Sequence, residues 1–543
     1  MDTVDIIEMV VTSIFQYLYY ICLGFCMLSW FAMVFFLTSG PIITWNLYHK
    51  EKPSCSPCLA KKLAKPVTIL RPLKGIDCNL EQNLESSFLQ DYPNFEIIFC
   101  VASESDPCIP IVRKLAAKHH QISCQLIIGD ENVGVNPKVN NLIRGYNLAK
   151  SDIVWILDSN VQMDHGALSR SVDLLCQPGV GLILHLPCGV RSSSFGSLMD
   201  AVFLNCTHAR MFSTINRLNV ASCVIGKSNL FRRSDLEDYG GLANFGQYMS
   251  EDNMIGMALM NKGYCHKVAP DLAYQSLGSS TLKDYFSRRA RWTRIRKYAV
   301  AAATMYEPFT ESLMAGLTAG WAFQRVLGIS FWPFFIFNFV AWFVSDTFVA
   351  WVVHPRNQRG GGWTDFRMFA FAWLVRELSA IPVYIWAMSG STVEWRGSRF
   401  YLHTDGTVEP LKHGHGPKRP IGTLPSISGP SLHKKSKFSS STGPATVSSL
   451  GLSSSSKSSI SFNTLNQSSA ADPPPIDTRP RYCTQSMSLA GSMTGTLIGS
   501  APRRSDTVDK VAALLSPTRR NVTAVSKSPS SAAGFIAPTL AII

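Results

Sequence analysis

No charged residue lies between Glu8 and Lys50, and the middle of that stretch, Val11–Leu37, is almost wholly apolar. A bilayer core takes about 20 such residues, so the pattern predicts a membrane-spanning helix. It lacks a basic region before it and is too long for a cleaved leader, which makes it an anchor. From Pro66 the pattern changes. Short continuous apolar runs (PVTILRP, FEIIFCVAS, CQLIIGD, DIVWILDSN) alternate with helical stretches at Asn79–Leu89, Ile111–His119 and Lys138–Ala149. Unbroken runs suit strands covered on both faces, and the alternation predicts an α/β domain with a doubly wound, Rossmann-like sheet over residues 38–305. A second apolar block covers 310–390. Val326–Ser345 carries no charge and predicts one span; Leu313–Trp321 and Phe369–Met388 are weaker, interrupted by Arg325, Asp346 and the Arg376-Glu377 pair. Two or three segments fit, and three is the expected number. Charges at that depth should face protein, water or each other. Past Gly416 the periodicity ends in Ser-, Pro- and Gly-rich sequence, which predicts a disordered tail over 410–543.

Charge adds orientation. Asp2, Asp5 and Glu8 precede the first apolar stretch, and Lys50, Lys52, Lys61, Lys62 and Lys65 follow it. The positive-inside bias places residues 1–10 in a lumen, the span at 11–37 and the α/β domain in the cytosol. The net charge is +14, but residues 401–543 hold fifteen Lys/Arg against six Asp/Glu and so supply +9 of it. The domain itself is only mildly basic, which argues against a nucleic-acid partner. Three C-terminal passes would put the tail in the lumen, where Asn466-Gln-Ser and Asn521-Val-Thr could accept sugar; two would keep it cytosolic. Asn205-Cys-Thr should stay bare in a cytosolic domain. The fourteen cysteines form no framework, and Cys55-Ser-Pro-Cys58 lacks the second pair of a zinc site. Reduced thiols or palmitoylation suit that pair better.

In doubly wound sheets, ligands sit at the carboxyl ends of strands. Asp106, Asp158 and Asp252 lie just past apolar runs or in a polar loop. Each has an ordinary reading as a turn former or helix N-cap. Asp158, at the mouth of DIVWILDSN, could also ligate a hard divalent cation that grips phosphate. Farther on, FSRRARWTRIRKY (286–298) packs six cations and three aromatics into one stretch. Arg288 and Arg291 share a helical face and could fork onto phosphate, while Arg289 points elsewhere. Trp292 could stack on a ring, anchor at the interface or pack. Arg294, Arg296 and Lys297 suit anionic headgroups beside the membrane.

Asp106, Asp158-Ser, Glu251-Asp252 and Arg288-x-x-Arg291-Trp292 come in this order before membrane segments. With LRPLKGID (70–77), QDYPNFEIIFCV (90–101) and VGVNPKVNNL (133–142), the chain resembles the ceramide glucosyltransferase branch of the membrane-bound inverting glycosyltransferases over roughly 10–405. The resemblance implies a nucleotide-sugar transferase domain of GT-A type inserted between N- and C-terminal membrane helices. It implies transfer of glucose from UDP-glucose to the primary hydroxyl of ceramide, with Mg²⁺ or Mn²⁺, at a Golgi membrane. Asp106 would contact uridine beside the Pro72–Gly75 loop, and Lys138 would lie near the nucleotide. Asp158 would hold the metal and Asp252 would be the general base. Arg288, Arg291 and Trp292 would close over diphosphate and acceptor, with His208 in the acceptor region. Ser precedes Asp106 where the family often has Asp, Ala follows His208 where Pro is usual, and Arg288 replaces Gln as the glucosylceramide branch itself does. No required chemical group is missing. A processive polysaccharide synthase and a silent membrane scaffold are the alternatives.

Overall fold

The computed structural model describes residues 3–50, 52, 64–219, 221–354, 366–395, 398–404 and 406–411. The first half follows the apolar pattern to within a few residues: α1 (Thr3–Tyr48), β1 (Val67–Leu73), α2 (Leu80–Phe88), β2 (Phe95–Val101), α3 (Ile109–Lys118), β3 (Ser123–Ile128), α4 (Pro137–Leu148) and β4 (Ile153–Leu157). Then come β5 (Val161–Gln162), α5 (Ala167–Leu175), β6 (Val180–Ser192), α6 (Phe195–Phe203), a π-helical turn (Leu204–His208), α7 (Ala209–Leu218), β7 (Ser228–Arg232), α8 (Glu251–Asn261) and β8 (Cys265–Gly278).

The eight strands form one sheet in the order β3-β2-β1-β4-β7-β6-β8-β5. The β3-β2-β1-β4 part is parallel. Its alternate residues split between two cores, Leu70, Ile98 and Cys100 against α4, and Ile69, Ile97 and Phe99 against α2 and α3. This double coverage is what the unbroken apolar runs required. The expected parallel winding ends at β4: β7 enters antiparallel to both β4 and β6. That reversal brings the residue before β7 opposite the residue after β4.

After the sheet come α9 (Leu282–Ala299), α10 (Ala301–Tyr306), a 3₁₀ turn (Glu307–Thr310), α11 (Ser312–Leu327), α12 (Phe331–Val353) and α13 (Phe366–Met388). Among the described residues three helices are long and apolar enough to cross a membrane: α1, α12 and α13. Helix α1 extends well beyond the expected 11–37. Its last turns pack on α7, and Gly40 permits it: a Cβ there would stand 2.2 Å from the Arg210 side chain. The uncharged stretch Val326–Ser345 is not one helix. Gly328 (φ +68°) ends α11, and apolar composition concealed the turn. At 16 residues α11 is about 24 Å long, short of a crossing.

A small antiparallel sheet was not anticipated: β9 (Thr392–Trp395), β10 (Ser398–Leu402) and β11 (Val408–Pro410). Val393, Phe400, Leu402 and Val408 pack on Met249, with Val135, Ile295 and Tyr298 against them. This sheet packs on the α/β domain, and after residue 310 two of the described helices are long and apolar enough to cross a membrane, where three were expected. The tail beyond Leu411, its two sequons and the Cys55/Cys58 pair lie outside the described residues. Asn205 exchanges two hydrogen bonds with the backbone of Gly189 (2.8 and 3.0 Å), so its amide is not free for sugar.

Candidate active site

The exit of β1 is shaped by Asp106. Its carboxylate accepts from the N–H of Gly75 (3.0 and 2.9 Å) and of Cys108 (3.0 Å). Burial works to raise its pKa, but these N–H groups and Lys74 outweigh it and hold it below the ordinary carboxylate range. Two residues past Gly75, Asp77 accepts from the Ser159 hydroxyl, which ties this loop to the exit of β4.

At that exit a five-membered charge cluster forms. Pro137 and the Asn136 cap start α4: the Asn136 side chain accepts from the N–H of Lys138 (2.8 Å) and Val139 (3.3 Å). The same amide donates to the Tyr248 carbonyl and to Glu251 (2.8 Å each), so it joins the start of α4 to that of α8. Lys138 Nζ then reaches Asp158 Oδ1 (3.0 Å), Glu251 Oε1 (3.1 Å) and the Gly226 carbonyl (2.8 Å). Lys227 faces Asp158 because β7 pairs with β4: the Asp158 N–H donates to the Lys227 carbonyl (3.1 Å), and its ammonium meets Asp158 Oδ2 (2.8 Å). Burial opposes ionisation of Asp158, but the two ammonium groups hold its carboxyl well below the usual range. Gly226 leaves room for the cluster: a Cβ would lie 2.9 Å from Lys138 Nζ and 3.0 Å from Asp252 Oδ2, and both groups would have to shift.

Asp252 differs from Asp158. Burial and then the Glu251 carboxylate push its pKa up to about 7, against the pull of Lys138 and the Asn253 N–H. A carboxylate that titrates near neutrality suits proton abstraction.

Helix α9 starts from a capping box in which Thr281 and Asp284 bond reciprocally. Arg288 pairs with Asp200 on α6, whereas Arg291 donates to the Glu394 carbonyl on β9 (3.4 Å). Arg289 turns inward, its guanidinium 3.8 Å from the Phe203 ring centre and 4.0 Å from that of Trp292. His208 sits in the π turn between Phe203 and Phe212, with neither ring nitrogen hydrogen-bonded; burial, helped by Arg289 and Arg296, pushes its pKa down to about 3. It is a neutral imidazole. The rear of the basic stretch is not a headgroup belt. Arg294 donates to the Trp386, Ala387 and Thr392 carbonyls and Lys297 to that of Met388 (2.9 Å), while Arg296 pairs with Glu307. The last carbonyls of α13 lack helical partners, and these cations cap them.

Asp158, Lys138 and Asp252 are therefore one cluster. Asp106 is joined to it through Asp77 and Ser159, and the α9 residues with His208 form a second group against α6. Sequence reasoning missed Lys227, Asn136 and Asp200. Asn-Pro-Lys is a legible N-cap signal; Lys227 and Asp200 gave none, because pairings distant in sequence place them.

Comparison with known proteins identifies the family. A family model for glycosyl transferase family 21 matches residues 31–408. The chain belongs to glycosyl transferase family 21. Curated relatives within reach include the "Ceramide glucosyltransferase" of Komagataella phaffii, 37% identical over 64% of this chain and 84% of that protein. "Ceramide glucosyltransferase 1" of Caenorhabditis elegans is 30% identical, over 68% and 77%. Among solved structures, the chain is similar to the Pyrobaculum calidifontis mannosyltransferase in complex with GDP-Man and Mn²⁺, with TM-score 0.36 and 17% identity over 67% of this chain and 95% of that one. As a family 21 glycosyltransferase, the chain places its charge cluster where the sheet's parallel half ends.

No group of three or more His, Cys, Asp or Glu is arranged around a metal among the described residues. Asp158 and Asn160 still offer two oxygens with one cation between them: Lys227 Nζ lies 2.8 Å from Asp158 and 3.3 Å from Asn160 Oδ1. A donor set this small fits Mg²⁺ or Mn²⁺ that draws its remaining ligands from water and diphosphate.

Proposed function

We propose that the chain transfers glucose from UDP-glucose to the primary hydroxyl of ceramide with inversion, releasing glucosylceramide and UDP on the cytosolic face of a Golgi membrane. The observation that carries the chemistry is Asp252, a carboxylate poised near neutrality beside a cluster that keeps Asp158 ionised. The names borne by the family relatives supply the substrates. Asp106, with the loop it pins, receives uridine. Lys138 stands beside the nucleotide, and Asp158 would hold a divalent ion, which would supply Lewis-acid stabilisation of the departing diphosphate. Arg288 and Arg291, in the second group, would turn from Asp200 and the Glu394 carbonyl to add positive charge as UDP leaves. Asp252 takes the proton from the lipid hydroxyl, which attacks the face of the sugar opposite UDP. Trp292 and His208 line the approach of the acceptor. A two-chain lipid stays in the bilayer, and α1, α12 and α13 hold the domain against it. The lysines after α1 orient the domain toward cytosolic UDP-glucose.

Membranes bearing the protein, given labelled UDP-glucose and a short-chain ceramide, should yield a lipid-soluble product carrying one sugar. A product that lengthens into polymer would favour a polysaccharide synthase, and no product would favour a scaffold. Either result overturns this reading.

A further inference from the structure

On α6, Asp200 is a buried carboxylate that faces two arginines of α9. Arg288 is bonded to its Oδ2, while Arg289 Nη2 stands 3.8 Å from its Oδ1, too far for a hydrogen bond. That Oδ1 has no hydrogen-bond partner, and neither have Nε and Nη1 of Arg289. Buried donors and acceptors this close together ordinarily pair. Here the second pairing is left open.

The two cations are held differently. The Arg288 side chain is 31% exposed, and among the described residues Asp200 is its one ion-pair partner. Arg289 is wedged between the rings of Phe203 and Trp292, which fix it whatever Arg288 does. Burial lowers the Arg289 pKa to about 10 against the pull of Asp200, so it stays a cation at neutral pH. A fixed cation with unused N–H groups is a spare counter-ion for Asp200. This matters when Arg288 turns away. Taking one partner from a buried ion pair is costly because the charge left behind is uncompensated. Arg289 avoids that by closing about 1 Å, to the length of a charged hydrogen bond.

We propose that Asp200 and Arg289 are positioning residues that act as a counter-ion relay: Arg289 takes over the Asp200 carboxylate when Arg288 leaves it for the diphosphate of the nucleotide sugar. Arg288 then moves without stranding a buried charge. This rests on the donor reading above. The test titrates UDP, and separately uridine, into the purified full chain in detergent micelles with Mn²⁺, read by calorimetry. Arg289→Met leaves the Arg288–Asp200 pair in place, yet should weaken UDP binding about tenfold, because departure of Arg288 now strands Asp200. Asp200→Asn needs no replacement cation and should tighten UDP about threefold. In the double variant Asp200→Asn/Arg289→Met the loss should vanish. Uridine carries no diphosphate and should bind every variant alike. An unmoved UDP affinity in Arg289→Met, a loss that persists in the double variant, or weaker UDP binding in Asp200→Asn overturns the relay. So does a uridine affinity that falls with that for UDP, which would make the effect a general disruption of the site. If wild type binds UDP but transfers no glucose to ceramide, the function reading fails alone, and the cycle still judges the relay. Wild type that binds no UDP overturns both.

Discussion

Two regions of this molecule bury charge, and they treat it differently. In the membrane block, Asp346 is fully buried and accepts from Arg210 (2.6 Å), Trp373 (2.9 Å) and Thr207 (3.4 Å), which joins α7, α12, α13 and the π turn. Arg376 pairs with Glu377 and Glu311. Asp346 has a cation to itself, while Glu377 and Glu311 share Arg376. At the sheet's exits, three carboxylates (Asp158, Glu251, Asp252) share two ammonium groups, and the shortfall falls on Asp252. The paired Asp346 fixes how helices meet; at the sheet's exits the carboxylate left over is the one pushed toward neutrality.

That contrast can be broken from either side. Asp252→Asn removes the base and should cut kcat by about 10³-fold, with UDP binding by calorimetry preserved; near-wild-type turnover would show that the imbalance serves no catalysis. Asp346→Leu strands the Arg210 charge and should cost about 3–5 kcal/mol in detergent unfolding, most of it recovered in Arg210→Leu/Asp346→Leu. Loss of transfer in that double variant despite recovered stability would mean that the membrane pair has chemistry of its own.

The pH dependence sharpens the point. With Asp252 titrating at about 7, kcat/KM should fall about tenfold per unit below that pH, and Asp252→Glu should displace the limb. The sign for stability is the reverse of a salt-bridged Asp. A folded pKa above the ordinary 3.8 means that ionising Asp252 costs stability, increasingly from pH 4 up to 7 and fully above it. Asp252→Asn should therefore raise Tm more at pH 8 than at pH 5. Arg294→Gln leaves the α13 terminus under-capped and should lower stability by about 1 kcal/mol while membrane association stays intact. Loosened association instead would restore the headgroup belt. The smallest expected effect is none: a glycosidase should produce no mobility shift dependent on Asn466 or Asn521.

The parallel half was legible because a strand buried on both faces must be apolar throughout, and little else produces FEIIFCV or DIVWIL. The same signal failed at Val326–Ser345, where hydropathy cannot see a turn made by Gly328 in wholly apolar surroundings. Of the site, the Asp158, Asp252 and Arg288–Trp292 positions came from motif order. The partners that set their protonation did not. Lys227 reaches Asp158 only because β7 runs antiparallel to β4, and Asp200 meets Arg288 only because α6 packs on α9. Arg294 and Lys297 show the converse: cations beside apolar sequence suggest lipid until the carbonyls of a helix end are known to be in reach.

The β9–β11 sheet makes the order of synthesis matter. Met249, which it covers, stands three residues before Asp252, and Tyr248 of the same loop is bridged to Thr407. The chain that steadies the loop leading to the proposed base is therefore made after α13. A ribosome that has finished the whole sheet domain has not yet produced a braced catalytic loop; that waits until α12 and α13 have been inserted and the chain has returned. A fragment cut before residue 392 should keep the eight-stranded sheet yet lack the contacts that hold the loop leading to Asp252, the base proposed above.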